Sequence, residues 1–252
     1  MIFYFSGCGN SRHVAETLAK GLDDDLVFIP EAARNGQYHY TLAEGKRLGF
    51  VFPVYSWAPP LLVLDFIQQL DLDTAPDYLY FACTCGDECG LTKKVFHKAI
   101  AQKGWKLSAC FSLIMPETYI GMPGFKLDTE ENARKKIIEA DAALVRNIPR
   151  LQNKEDFTEM KVGSFPWTKS VVINHGFNKF ATDDSKYRYT EKCIGCEKCV
   201  MVCPLKNITL EDGHPQWHGH CTMCMGCYHH CPVNAIQYGK STQGKGQYYF
   251  KA

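Results

Sequence analysis

Cys193-Ile194-Gly195-Cys196-Glu197-Lys198-Cys199-Val200-Met201-Val202-Cys203-Pro204 returns 28 residues later as Cys221-Thr222-Met223-Cys224-Met225-Gly226-Cys227-Tyr228-His229-His230-Cys231-Pro232. The offset holds at all four cysteines, and Ile208 and Ile236 keep it as well. Three thiolates with two residues between each wrap one face of a cubane iron–sulfur cluster, and the fourth, just before a proline, completes the other cluster. The spacing therefore predicts one [4Fe–4S] cluster on Cys193, Cys196, Cys199 and Cys231. It predicts a second on Cys221, Cys224, Cys227 and Cys203. Zinc needs only two cysteines from each copy and leaves the third and fourth unexplained. His214, His218, His220, His229 and His230 crowd the same region. Eight thiolates already fill two cubanes, so these read as surface imidazoles beside the clusters.

Those eight belong to thirteen cysteines in a chain of 252 residues. In a small exported protein such density would mean disulfides. Here Arg12, His13 and Glu16 stand where a secretory signal would carry its apolar core, so a cytoplasmic, metal-binding chain is expected. Apolar residues at 46% and charged ones at 22% describe ordinary globular usage and exclude disorder. A formal charge of +1 supplies no basic face for nucleic acid. Runs such as Leu61-Leu62-Val63-Leu64 are too short to span a bilayer.

Upstream, apolar runs alternate with amphipathic stretches. Ile2–Phe5, Leu26–Ile29, Leu48–Phe52, Tyr78–Ala82 and Ala109–Ile114 read as five short buried strands. Helical patterns follow them: Val14, Ala15, Leu18, Ala19 and Leu22 share a face, Leu61 to Leu70 follows two prolines, Leu91 to Ile100 follows Gly90, and Glu130 to Ile148 is the longest. Strands alternating with helices predict an α/β domain with a doubly wound five-stranded parallel sheet over residues 1–150. Residues 151–189 read as an ordered connector, with a helical tendency from Lys169 to Phe180. Residues 190–252 read as a small α+β unit with a tail. Burying even three of the connector rings Phe157, Phe165, Trp167, Phe177 and Phe180 would contribute about 5 kcal/mol, enough to dock the two units.

Between the first strand and its helix lies Ser6-Gly7-Cys8-Gly9-Asn10-Ser11. A small-residue turn entering a helix N-terminus is an anion site. The dinucleotide pattern G-x-G-x-x-G fails, because no third glycine follows Gly7 and Gly9. The stretch resembles the flavodoxin phosphate loop: Ser6, Gly9 and Ser11 match it, with Asn10 between, and Cys8 stands where that family has threonine. Two more loops resemble the flavin-ring loops of the same family. Pro53-Val54-Tyr55-Ser56-Trp57 offers an aromatic ring to the isoalloxazine, and Thr84-Cys85-Gly86-Asp87 with Gly90 offers backbone amides to its edge. Cys83, Cys85 and Cys89 lack a fourth ligand and read as free thiols near a flavin, and Cys110 as an inert buried thiol.

Residues 190–238 resemble a bacterial-type two-cluster ferredoxin module, and nearly the whole chain resembles the flavodoxin–ferredoxin fusion family of anaerobes. The Gly239-Lys240-Ser241-Thr242-Gln243-Gly244-Lys245-Gly246 tail is typical of that family; without a preceding strand it is no nucleotide-triphosphate loop. The resemblance implies a flavodoxin-like fold, FMN, two clusters and electron transfer with a partner redox enzyme. No catalytic residue is singled out. The alternative is a reductase acting on a small acceptor at the FMN, against which stands the absence of a convergent polar site. Two oxidised cubanes at −2 each and an FMN phosphate take the formal charge to about −5, which suits a partner with a basic docking patch.

Overall fold

The computed structural model describes residues 1–43 and 45–251. Its main sheet is built from β1 (Ile2–Tyr4), β2 (Leu26–Phe28), β3 (Arg47–Pro53), β4 (Tyr78–Cys85), β5 (Ala109–Ile114) and β6 (Phe157–Glu159). They lie in the order β2-β1-β3-β4-β5-β6, and every pairing is parallel. The first five reproduce the flavodoxin-type order, whose ligand crevice opens where the chain switches direction between β1 and β3.

All eight residues of β4 are buried, as a parallel strand covered on both faces requires. Its alternate side chains divide between two cores. Leu79, Phe81, Cys83 and Cys85 face α2 (Leu61–Gln69) and α3 (Thr92–Ala101). Tyr78, Tyr80 and Ala82 face α1 (Asn10–Leu22) and α4 (Glu130–Gln152). Phe96 of α3 anchors the first core, its ring centroid 4.6 Å from Phe81, 5.4 Å from Phe50 and 5.6 Å from Phe52. Phe96→Ala should cost about 3–5 kcal/mol, read as a lower midpoint in urea unfolding with an unchanged slope.

Two expectations need correction. The sheet has six strands, not five: β6 lies inside the stretch read as connector, and α4 runs past residue 150 to Gln152. Phe-Thr-Glu carries one buried side chain, so its sequence has no apolar period to read; tertiary contacts hold it. Arg150 lies over the Phe157 ring at 3.7 Å and pairs with Glu155 at 3.2 Å and with Glu159 at 2.5 Å.

The connector rings do not dock the two halves. Phe165, Trp167 and Phe180 are 77%, 61% and 64% exposed, Phe157 belongs to the sheet, and only Phe177 packs inward, 5.9 Å from Tyr119. The segment is helical from Thr168 to Ala181, with π-helical turns at Thr168–Ile173 and Phe177–Ala181. It turns its polar side to the first domain: Ser170 donates to Trp57 O at 2.8 Å, and Asn174 to the carbonyls of Tyr55 and Ser56 at 3.1 and 3.0 Å.

The last third forms two antiparallel pairs, β7 (Tyr187–Tyr189) with β10 (Ile236–Tyr238) and β8 (Ile208–Glu211) with β9 (His214–Trp217). Two short helices carry the repeat, α5 (Lys198–Val202) and α6 (Gly226–His229). The repeat extends to the backbone. Gly195 and Met223, Glu197 and Met225, and Lys206 and Asn234 all take positive φ, each pair 28 residues apart. Only the first of these six is a glycine, so the loop wrapping, not residue preference, imposes the left-handed conformation.

Contacts from the C-terminal half to the first domain are both apolar and polar: Ile120, Tyr119 and Leu127 share a hydrophobic cluster with Met223, Met225 and Tyr228, and Phe250 stacks on His13 at 4.3 Å. Phe250 N donates to Cys8 O at 2.8 Å, and Tyr248 Oη to Asn10 Oδ1 at 3.2 Å. Lys245, from the glycine-rich tail, donates to the carbonyls of Ile120, Met122 and Phe125 at 2.9, 3.2 and 2.8 Å. His229, read as a surface imidazole, is buried. It donates from Nε2 to Thr118 O at 2.7 Å and accepts Tyr248 N at Nδ1 at 3.2 Å, and burial lowers its pKa to about 4. It serves as a neutral strut between the halves.

Candidate functional site

The C-terminal ends of β1, β3, β4 and β5 open into one cavity of about 1120 Å³. It lies at the switch point where sheets of this order bind ligands. Ser6, Cys8, Asn10, Ser11, Pro53, Val54, Tyr55, Ser56, Trp57, Thr84, Cys85, Gly86 and Asp87 all line it. Gly9 and Gly90 lie behind the wall: Gly9 faces Phe250, and Gly90 faces Trp57 and Ser170. The sequence reading missed Gly7, Glu88, the Met115–Phe125 loop after β5, the inner face of the 173–181 helix, and Met223-Cys224-Met225 from the second cysteine motif. The loop after β5 follows from the same strand-end rule as its neighbours. Gly7 and Glu88 sit within the loops after β1 and β4 that the sequence already marks, and the remaining contributions depend on how the halves meet.

At the phosphate-type loop, Gly9 N donates to Ser6 Oγ at 3.1 Å, and the hydroxyls of Ser11 and Thr84 meet at 2.7 Å. The first amides of α1 have no intrahelical acceptor and sit at the positive end of its dipole. Cys8 does not turn its thiol to this cradle. Its Sγ donates to Cys224 O at 3.1 Å, and burial raises its pKa to about 12, so it stays protonated.

The Trp57 loop is strained and clamped. Ser56 and Trp57 both take positive φ, at 48° and 60°. Trp57 Nε1 donates to Glu88 Oε1 at 3.0 Å, Ser164 N donates to Glu88 Oε2 at 3.1 Å, and Lys169 Nζ pairs with the same carboxylate. Burial alone would raise the Glu88 carboxyl; Lys169, Ser164 and Trp57 outweigh it and hold the pKa below its ordinary value of 4.5. A depressed carboxylate stabilises the fold above its unfolded pKa, and the gain is lost as pH falls through the folded value. Glu88→Gln should therefore cost about 2 kcal/mol at pH 7, and the gap from the parent should narrow in melts taken below pH 4.5.

Two polar atoms in the cavity wall, Ser56 Oγ and Tyr119 Oη, are buried without a hydrogen-bond partner among the described residues. Such groups cost stability unless a ligand satisfies them. Together with the open amides of α1 and the Tyr55 and Trp57 rings, they fit a phosphate-bearing aromatic cofactor. Cys83, Cys85 and Cys89 are buried in the core on the α2–α3 side of the sheet, Cys85 also reaching the cavity wall, and Cys110 is buried in β5. Burial pushes Cys83, Cys85 and Cys110 up, and Cys89 donates to Lys161 O at 3.2 Å.

The repeat cysteines bound two further small cavities. Cys193, Cys196, Cys199 and Cys231 line one; Cys203, Cys221, Cys224 and Cys227 line the other, beside Tyr187 and Trp217. Among the described residues no three His, Cys, Asp or Glu side chains gather tightly enough for a single metal ion. A cubane asks instead for four separated thiolates, one per iron. The left-handed residues beside the cysteines turn successive amides inward, a concavity suited to an anionic cluster. Trp217 Nε1, buried and unpartnered among the described residues, adds a donor to the second cavity. This donor set fits two iron–sulfur clusters.

Fold and site define a flavodoxin-type α/β domain joined to a dicluster ferredoxin segment. Residues 176–236 match the 4Fe-4S dicluster domain family. The chain is 39% identical over 49 residues to pyruvate synthase subunit PorD of Methanocaldococcus jannaschii, covering 18% of this chain and 56% of that protein. It is 37% identical over 57 residues to NADH-quinone oxidoreductase subunit I 2 of Geobacter metallireducens, covering 18% of this chain and 44% of that protein. The chain thus spans about half the length of these curated relatives. Among solved structures, the Trp repressor binding protein of Bacillus subtilis aligns over 60% of this chain and 97% of its own, at 16% identity and a TM-score of 0.37. The NAD(P)H:quinone oxidoreductase of Methanothermobacter marburgensis aligns over 58% and 94%, at 14% identity and a TM-score of 0.33. Among the described residues no helix is long and apolar enough to cross a membrane.

Proposed function

We propose that the protein relays electrons between two [4Fe–4S] clusters and FMN, and to or from a partner redox protein. The observation that carries this reading is the meeting of the two cofactor sites: Met223, Cys224 and Met225 of the second cysteine motif form part of the wall of the flavin-type cavity. The clusters supply one-electron chemistry and the flavin one- or two-electron chemistry, so a chain holding both connects the two kinds of traffic.

In this reading Cys193, Cys196, Cys199 and Cys231 hold one cluster, and Cys221, Cys224, Cys227 and Cys203 hold the other. Ser6, Asn10, Ser11 and the first amides of α1 hold the FMN phosphate, Tyr55 and Trp57 flank the ring, and the Thr84–Asp87 backbone meets its edge. A monophosphate cradle without an adenine-binding half supports FMN over FAD. The holo-protein is acidic, which favours a partner with a basic patch and long-range steering towards it. A cytoplasmic setting suits thiols that must stay reduced until clusters are inserted.

Anaerobic purification with iron, sulfide and flavin analysis tests the reading. Two cubanes give about eight irons per chain. Boiling should release a flavin that chromatographs as FMN. Recovery of FAD would overturn the FMN assignment and the reading of the phosphate loop, and no flavin after anaerobic reconstitution would remove the relay.

A further inference from the structure

Gly7 has no conformational need to be glycine, since its φ is not in the left-handed region; it needs the space. A Cβ there would lie 2.5 Å from Cys224 Cβ, 3.2 Å from Cys224 O and 3.1 Å from the Tyr55 hydroxyl. From the other side, a Cβ on Gly226 would sit 3.0 Å from Gly7 O. Two glycines thus let the loop after β1 and the turn carrying Cys224 and Cys227 meet backbone to backbone. The adjacent Cys8 thiol ties them by donating to Cys224 O at 3.1 Å.

The first motif has no such seat. A Cβ on Gly195, the counterpart of Met223, would lie nearest Gly213 O, at 2.9 Å, from the turn between β8 and β9 in the same half. Cys196 is exposed, and Ile194 and Met201 around it are 64% and 59% exposed. The Cys221–Cys227 turn packs on the first domain, whereas the Cys193–Cys199 turn opens to solvent; the first motif meets the first domain at its end, where Arg34 Nη1 donates to Pro204 O at 3.4 Å.

Building on the relay reading, we infer that Gly7 and Cys8 are positioning residues that press the Cys221–Cys227 turn against the phosphate loop. The cluster of the second motif is then the inner one, beside the flavin site, and that of the first motif is the outer one, at the surface where an external one-electron donor or acceptor protein arrives. The cysteine at position 8 thereby has a task of its own: it joins the two halves where a hydroxyl would have faced the phosphate.

The test uses the full chain, purified anaerobically with its cofactors, in parent, Gly7→Ala, Cys8→Ala and Cys8→Ser forms. Iron and flavin contents are measured first. Each cluster's potential is then followed by electron paramagnetic resonance in a redox titration, and flavin reduction is followed after rapid mixing with dithionite. Electron tunnelling weakens with separation, so Gly7→Ala should slow the cluster-dependent phase of flavin reduction and shift the potential of the second-motif cluster alone. Cys8→Ala should act in the same direction, and Cys8→Ser, which keeps a donor, should restore the parent behaviour. The Cys8 pair decides the matter if Gly7→Ala does not retain flavin. Parent rates and potentials in Cys8→Ala, or a shift confined to the first-motif cluster, would overturn the inference. A parent protein without flavin or iron would instead overturn the relay itself.

Discussion

Cys203→Ala should lose the cluster of the second motif and keep that of the first, although Cys203 belongs to the first motif in sequence. The residue caps the C-terminus of α5, and there the chain turns from one cavity to the other. Cys199, on the helix, lines the cavity of Cys193, Cys196 and Cys231, whereas Cys203 lines that of Cys221, Cys224 and Cys227. The crossing is reciprocal. Asn207 N donates to Cys203 Sγ at 3.3 Å and Ala235 N to Cys231 Sγ at 3.2 Å, the same contact 28 residues apart. The variant should hold about four irons in place of eight. The second-motif turn also presses on the loop after β1, so cluster-dependent flavin reduction should stop even with the first cluster intact. Iron analysis with cluster-resolved electron paramagnetic resonance checks both points. Selective loss of the first cluster would mean that each motif closes on its own cysteine.

Gly9→Val should empty the flavin site and loosen the C-terminal tail together. Gly9 is the N-cap of α1 at φ 96°, a conformation that β-branched residues do not adopt without strain of about 1–3 kcal/mol. A Cβ would also lie 2.9 Å from both Cβ and O of Phe250, whose amide donates to Cys8 O at 2.8 Å. The tail must move away or the loop must open. In the first case Tyr248 leaves Asn10; in the second the amides facing the phosphate turn aside. Every 1.4 kcal/mol costs tenfold in affinity, so flavin retention should fall at least tenfold. Equilibrium dialysis of added FMN against the reconstituted protein measures the loss, and hydrogen exchange at residues 247–251 reports the tail. Full flavin retention with a protected tail would show that the loop tolerates a side chain there.

Much of the molecule is legible in the chain itself. The buried strands announce themselves because a parallel strand covered on both faces must be largely apolar, as Tyr78–Cys85 is at every position but Thr84. The cysteine motifs do so because cubane chemistry demands fixed thiolate spacing over a few residues. The loops after β1, β3 and β4 are readable as ligand loops because switch-point geometry sends strand ends to one side of the sheet. Each of these depends on interactions within a short window.

Where the reading went astray, the determining contacts were long-range. Phe157-Thr158-Glu159 becomes a strand because Arg150 and the edge of β5 hold it, not through any period of its own. The connector rings suggested that they dock the two units, yet Phe165, Trp167 and Phe180 stay in water; the halves join instead through the cluster of Ile120 with Met223 and Met225, and through backbone carbonyls met by Lys245, His229 and Phe250. A hydrogen bond to a carbonyl asks nothing of the accepting residue's side chain, so no sequence pattern encodes it. Cys8 makes the same point, since its partner lies 216 residues away. The sequence by itself determined the α/β sheet, the repeat and most of the loops and thiols that line the cavities, because those follow from periodicity and ligand spacing. Only the tertiary structure decided which cysteine motif faces the large cavity, because that rests on two glycines distant in the chain letting two backbones touch.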